Sequence, residues 1–443
     1  MKNLNYILLL VCISISPLLN AQSYIGFSVD NYAGVHGLTS NPSNVVDSRF
    51  KADINLVSAS AFGGSDYFGI NVNDIIKSED GFDFDLDTEK FPTNANNFFL
   101  NADVLGPSFM FNLSPKSSVG LVSRVRAFFN INNINGELYE SIADGFDIAE
   151  DFSFNSENLT GTVHAWAEVG LVYGRILMDN DTNFLKAGVT LKYLQGAGGV
   201  FVNSPNFTGQ YSAANETLTT NGELIYGISQ DFDNDDIEFK NLTSGFGADI
   251  GFTYEFRPNK IKDSLTTRKQ NKYKLKIGAS ITDIGSIDYT ESTVTTYNVN
   301  GTADTSGYTE DSETEDFLDD NYTFTEEMIA QKIKLPTAFH FLADYHIKNK
   351  LYISLQTNLS LVKKNTANAN SIINSVTLSP RLETKWFSIY SPVSIRQYGD
   401  FAWGTGFRLG PLMVGSSSII SNLISDTSKT TDVYLGLKIP IYQ

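Results

Sequence analysis

From residue 51 to the C-terminus, polar and apolar residues alternate with period two, which marks β-strands with unlike faces. Pro107, Phe109, Phe111 and Leu113 alternate with Ser108, Met110 and Asn112. After a tight turn at Ser114–Ser117, Val119, Leu121, Val125, Ala127 and Phe129 alternate with Gly120, Arg124 and Arg126. Val163, Ala165, Ala167, Val169, Leu171 and Tyr173 share one face, against His164, Trp166, Glu168 and Gly170. Phe246, Ala248, Ile250, Phe252, Tyr254 and Phe256 oppose Gly247, Asp249, Gly251, Thr253 and Glu255.

These apolar faces run for ten or more residues, the length a tilted membrane strand needs and about twice that of a soluble strand. The opposite faces carry charges beside glycine, which suits a wet or plugged lumen. Short connections near 114–117, 179–183, 347–350 and 410 alternate with long polar ones at 63–103, 132–160, 197–242, 284–333 and 363–373. That is the pattern of periplasmic turns and external loops. It predicts an all-β, single-chain transmembrane antiparallel β-barrel of the bacterial outer membrane over 51–443, with about 14 strands. The strands fall near 51–62, 104–113, 118–131, 161–178, 183–196, 243–257, 271–283, 334–346, 350–362, 374–385, 387–396, 401–410, 411–419 and 430–442. Segments 66–72, 204–213 and 222–229 read as hairpins inside external loops. Pro440 has no N–H for a ladder and belongs at the periplasmic rim.

Residues 1–21, MKNLNYILLLVCISISPLLNA, break the alternation. A basic start at Lys2, an apolar run over 6–15 and the small Ala21 read as a secretory signal peptide, with Gln22 as the mature start. Cys12, the one cysteine, lies inside it. The remainder is therefore expected to hold no disulfide, thiolate nucleophile or cysteine metal ligand. A net charge of −18 argues against nucleic acid, whose phosphates need basic surface.

Residues 22–50 are irregular and rich in small side chains. NYAGVHGLTSNPSNV (31–45) resembles the hatch of the FadL-like outer-membrane barrels, with Asn41, Pro42 and Ser43 standing for that family's Asn-Pro-Ala type motif. ITDIGSIDY (281–289) and KLPTAFHFLADY (334–345) also look like segments of that family and of its PorV branch, associated with type IX secretion. GFRLGPLMVGSS (406–417) is similar to segments of an uncharacterised Bacteroidota outer-membrane group. The resemblance implies a fourteen-stranded barrel whose N-terminal segment folds into the lumen as a plug. Small residues let such a segment bend, and irregular backbone at membrane depth is tolerated only inside a lumen.

Inward-phase charges are the candidate site: Arg124, Arg126, Glu168, Lys186, Lys192, Asp249, Glu255, Lys274, Lys276, Arg381, Glu383, Arg396 and Arg408. Their mixed signs favour cross-strand pairing over a single-sign selectivity ring. His340, Asp344 and His346 share a phase that suits a metal or a proton relay, but no fourth ligand is identifiable, and lumen-wall polar residues are the simpler reading. Asp231, Asp233 and Asp235 mimic a calcium loop, yet Asp236 stands where glycine is needed and Leu242 where the closing glutamate should be. Residues 304–327, with ten acids and no base, read as a solvated external loop. No nucleophile–base pair or cofactor motif appears, so an enzyme is not expected.

Two functions remain. One is passive transport of small hydrophobic compounds past the plug, with an apolar pocket above it and a wall exit at a kink in glycine-rich 161–178 or 401–410. The other is a secretion or surface-assembly factor that binds protein partners, secretion-system proteins among them, through its external loops.

Overall fold

A computed structural model describes residues 24–72, 88–229, 243–258, 270–398 and 401–442. The expected signal peptide and the Asp231–Asp235 run lie outside these residues. Alternation becomes two unlike surfaces. Leu171, Leu191 and Ile395 are 58%, 64% and 68% exposed, while their inward neighbours Glu168, Lys192 and Ser394 are buried. A continuous exposed apolar wall is stable only against lipid. Aromatic side chains mark both rims, with Tyr193, Phe246 and Trp403 at the outer one and Tyr345 and Trp386 at the inner one.

The chain runs through β1 (Phe50–Ser65), β2 (Phe68–Ile70), β3 (Thr88–Lys90), β4 (Asn96–Leu105), β5 (Ser108–Ser114), β6 (Ser117–Ile134), β7 (Phe152–Asp179) and β8 (Asn183–Ser212). It continues through β9 (Thr217–Ser229), β10 (Thr243–Phe256), β11 (Leu275–Asn298), β12 (Gly301–Asp304), β13 (Thr323–Lys334), β14 (Ala338–Lys348) and β15 (Leu351–Ser360). The last seven are β16 (Ser375–Glu383), β17 (Phe387–Tyr390), β18 (Val393–Arg396), β19 (Phe401–Trp403), β20 (Thr405–Leu409), β21 (Leu412–Ser416) and β22 (Thr430–Tyr442). Antiparallel pairing closes the wall where β22 meets β1, with Phe50 opposite Tyr442. β4 with β5, β17 with β18, and β19 with β20 are single wall strands, each with one interruption. β2, β3, β9, β12 and β13 stand outside the wall, which therefore has 14 strands.

The interruptions have local causes. At Gly106-Pro107 the proline removes a ladder donor, and Asn55 Nδ2 donates to the Leu105 and Gly106 carbonyls at 2.9 Å each. Ser391-Pro392 separates β17 from β18, and Gly404 separates β19 from β20. A Cβ on Gly404 would stand 2.1 Å from the Ser416 carbonyl. Of the two expected kinks, 401–410 is therefore broken, whereas 161–178 is continuous within β7, regularly paired with β6, and shifts register against β8 at Ala165/Trp166 and Ile176/Met178. Pro440 lies opposite Asp53, within pairing that continues to Tyr442. It is tolerated because Lys438 N already donates to Pro411 O at 3.0 Å, at the β20–β21 turn. The proline ring faces the same side, beyond the end of that neighbour.

β7 and β8 are 28 and 30 residues long, against the roughly 9–11 that cross a bilayer. Their outer halves leave the wall. With β9, β12, β13 and 286–298 of β11 they form an extracellular sheet. Segments 152–160, 197–203 and 284–298, expected as loop, are thus strand, and 204–212 and 222–229, expected as hairpins, belong to the same sheet. Above the lipid neither face must be apolar, so Thr, Asn and Ser fill both faces and the pattern fades. This sheet has its own core of Leu138, Phe146, Phe154, Tyr211, Leu218 and Tyr308. Helices over Gly136–Ala143 and Thr314–Asn321 flank it.

Candidate functional site

The first described residues, 24–49, lie against inward faces of strands all round the wall. Asn41 Oδ1 accepts from Ser43 N at 2.9 Å and from Ser43 Oγ at 2.6 Å, capping a 3-10 turn that Pro42 opens. Asn41 Nδ2 donates to Phe252 O at 3.1 Å, and Ser43 Oγ lies 2.7 Å from Thr253 Oγ1. The wall makes room with glycine. A Cβ on Gly188 would stand 2.4 Å from the Pro42 carbonyl, on Gly251 2.2 Å from Asn41 Oδ1, and on Gly174 2.4 Å from Val45.

Further bonds fix the rest of the segment. Tyr434 OH donates to Ile25 O at 2.9 Å, and Lys438 Nζ to Tyr32 O at 2.7 Å and Ala33 O at 3.0 Å. Val35 N donates to Asp53 Oδ2 at 2.9 Å, and His36 Nε2 lies 2.8 Å from Ser58 Oγ. Asn31 donates from N and Nδ2 to Glu383 and from Nδ2 to Tyr273 OH. Asp47 pairs with Arg257 at 2.6 Å, Asp30 with Arg408 at 3.5 Å and Arg49 with Glu383 at 3.6 Å. Burial would lift the Asp47 carboxyl, but the Arg257 and Lys272 charges outweigh it and hold the group below its ordinary value.

Thirteen inward charges, with His340, Asp344 and His346, were expected in the lumen, and most meet there as mixed networks. Arg124 pairs with Asp103 and with Glu168, and Arg126 with Asp283 at 2.8 Å. Lys192 spans Asp249 at 2.8 Å and Asp283 at 2.6 Å. Arg381 grips Asp344 at 2.9 and 2.8 Å and reaches Glu383 at 3.0 Å. Arg396 pairs with Asp432, and Glu255 with Arg257. Lys276 is 3.4 Å from Asp344, whereas Lys186 donates to Val46 O and Lys274 turns to the rim carbonyls of His346 and Ile347. His340 lies 2.8 Å from Thr282 Oγ1 and 2.7 Å from Asn358 Oδ1, while His346 bonds Asn349 O at the rim. His340, Asp344 and His346 therefore do not converge, and the described residues hold no metal-binding group of three.

The sequence reading missed Asp30, Asp53, Asp103, Asp283, Asp432 and Lys438 as partners. Four of them, Asp53, Asp103, Asp432 and Lys438, sit at the inward phase of their strands. Asp283 does not: it occupies a bulge with φ 57°, so Thr282 and Asp283 both turn inward and the period breaks.

Two cavities flank the segment. The outer is lined by Asn101, Arg126, Phe128, His340, Gln356 and Ile372 among others. The inner opens beside Asp47, Arg49, Lys186, Arg257 and Lys272. Ser28 lines both, and Gln356 Nε2 reaches Ser28 Oγ at 3.5 Å. The outer cavity is thus bounded by both polar and apolar side chains. Its apolar part is Ile25, Ala102, Phe128, Ala338 and Ile372, the last three from a cluster that also holds Trp166 and Leu335. The expected apolar pocket has a charged floor as well, because Arg124, Arg126, Asp103 and Asp283 meet there.

A family model described as "Family of unknown function (DUF5723)" matches residues 42–417. No curated protein matches the sequence. Among solved structures, the Pseudomonas putida toluene transporter TodX is similar at 8% identity and TM-score 0.43, over 95% of this chain and 97% of that one. The Ralstonia pickettii toluene transporter TbuX is similar at 9% identity and TM-score 0.43, over 93% and 95%.

Proposed function

We propose that this chain, which belongs to DUF5723, a family of unknown function, is a passive outer-membrane transporter of small hydrophobic compounds, with residues 24–49 as a lumen plug. Within that family we read it as a FadL/PorV-like barrel of Bacteroidota type. The observation that carries the reading is the pair of cavities meeting at Ser28. Cargo enters the outer cavity, and a small shift of the plug at Ser28 and Gln356 joins it to the inner one. The bonds around the plug are many but individually modest, each about 0.5–1.5 kcal/mol, so one region can yield while the others hold. Asn41, Pro42 and Ser43 are the fixed hinge, since backbone and side chain are both seated there.

The test is a reducible cross-link. Ser28→Cys with Gln356→Cys, bridged by a short methanethiosulfonate linker, ties the plug to the wall at the junction of the two cavities, in a sequence whose one cysteine is Cys12. Toluene flux into liposomes should stop on cross-linking and return on reduction. Equal flux in both states would sink the plug as gate.

A second reading has one observation in its favour. The extracellular elements form a cored sheet, and β13 is exposed along both faces through residue 330. Such a surface suits a protein partner, and a stoichiometric partner retained on affinity purification from outer membranes would favour assembly over transport.

A further inference from the structure

The outer cavity is not lined like a hydrocarbon slot. Its two arginines are already neutralised, Arg124 by Asp103 and Glu168 and Arg126 by Asp283. An added charge on a ligand would find no open counter-charge there. What stays unsaturated is hydrogen-bonding capacity. Three lining side chains, each at least nine-tenths buried, keep a polar atom with no hydrogen-bond partner among the described residues: Asn101 Oδ1, Gln356 Oε1 and Arg126 Nε. Exchanging the amide oxygen and nitrogen of Asn101 or Gln356 swaps acceptor for donor but leaves a free group either way. Ile25, Ala102, Phe128, Ala338 and Ile372 give the same space its apolar surface.

We infer that this cavity selects small uncharged molecules that carry a hydroxyl or carbonyl group on an apolar frame, and that it discriminates against the bare hydrocarbon. A hydrocarbon filling the space leaves the amides and the guanidinium N–H unpaired. A hydroxyl both donates and accepts, so it answers an amide oxygen or an N–H where a hydrocarbon answers neither. Sites with buried polar groups reject the analogue that lacks the matching group far more strongly than they resolve differences in apolar size. Asn101 and Gln356 are the specificity-determining residues, and Gln356 couples the selection to the plug through Ser28. The inference rests on the transport reading for the route such a molecule takes.

Benzyl alcohol and toluene share a frame and differ by the hydroxyl group. Their equilibrium binding to the full protein in nanodiscs, each corrected for uptake by protein-free nanodiscs, should favour benzyl alcohol by about tenfold or more. Asn101→Leu should shrink that ratio, and Gln356→Leu should do so independently, with barrel folding checked by heat-modifiable migration. Equal binding of the two probes by the unaltered protein overturns the inference, as does an unchanged ratio in both folded variants. Binding is read without flux. Lost transport with the preference intact would therefore sink the transport reading alone, and equal binding with flux intact would sink this inference alone.

Discussion

Replacing Gly188 with alanine should loosen the N-terminal segment while leaving the barrel whole. The added Cβ would lie 2.4 Å from the carbonyl carbon and oxygen of Pro42 and 2.5 Å from Ser43 N. These are backbone atoms of a capped turn, so no side chain can swing away. The turn must retreat by about 1 Å to restore an ordinary contact. That movement stretches the Asn41–Phe252 bond of 3.1 Å and the Ser43–Thr253 contact of 2.7 Å. Overpacking of this kind costs about 1–3 kcal/mol, which multiplies the population of undocked segment roughly 5- to 150-fold. Hydrogen exchange of residues 24–49 reads that population, and the wall strands serve as internal reference. Gly247→Ala is the control: it also faces inward on β10, but its Cβ would meet nothing nearer than 3.3 Å. If Gly188→Ala leaves protection of 24–49 as high as Gly247→Ala does, the glycine seat does not hold the segment.

Two further outcomes follow from the buried charges. Asp344→Asn leaves Arg381, fully buried and otherwise held by Glu383, without its bidentate partner. It should lower barrel stability by about 3–5 kcal/mol in urea unfolding from detergent, and an unshifted midpoint would refute the pairing. Burial, and then the Lys438 charge, hold the His36 imidazole well below its ordinary value of 6.5. The released segment binds a proton that the docked one refuses, so docking weakens as pH falls below 6.5 and is unaffected above it. Protection of 24–49, corrected for the intrinsic pH dependence of amide exchange, should therefore fall between about pH 7.5 and about pH 5.5, and His36→Gln should remove that dependence.

The wall was legible because lipid imposes a rule on every second residue. Val169 and Leu171 against Glu168 and Gly170 already fix which side faces out. Where that solvent ends, so does the signal: 152–160 is strand, but its Ser, Asn, Glu and Thr look like loop. A bulge hides Asp283 for a similar reason, since period two assigns one side per residue and the chain there spends two on one side. Gly251 was an inward position by alternation, and Gly174 and Gly188 lie in phase with Gly170 and Lys186. What fills the space beside them depends on a segment more than 120 residues away in the chain, and no local pattern encodes that. Nor does the sequence order reveal the Lys438–Asp53 pair, which exists only because the last strand lies beside the first.

That seam ties two events in time. Tyr434 and Lys438 hold the carbonyls of Ile25, Tyr32 and Ala33 across 405–409 residues of chain. Residues 24–49 therefore stay partly untethered until β22 arrives. The cylinder then shuts and residues 24–49 gain their remaining anchors in one step.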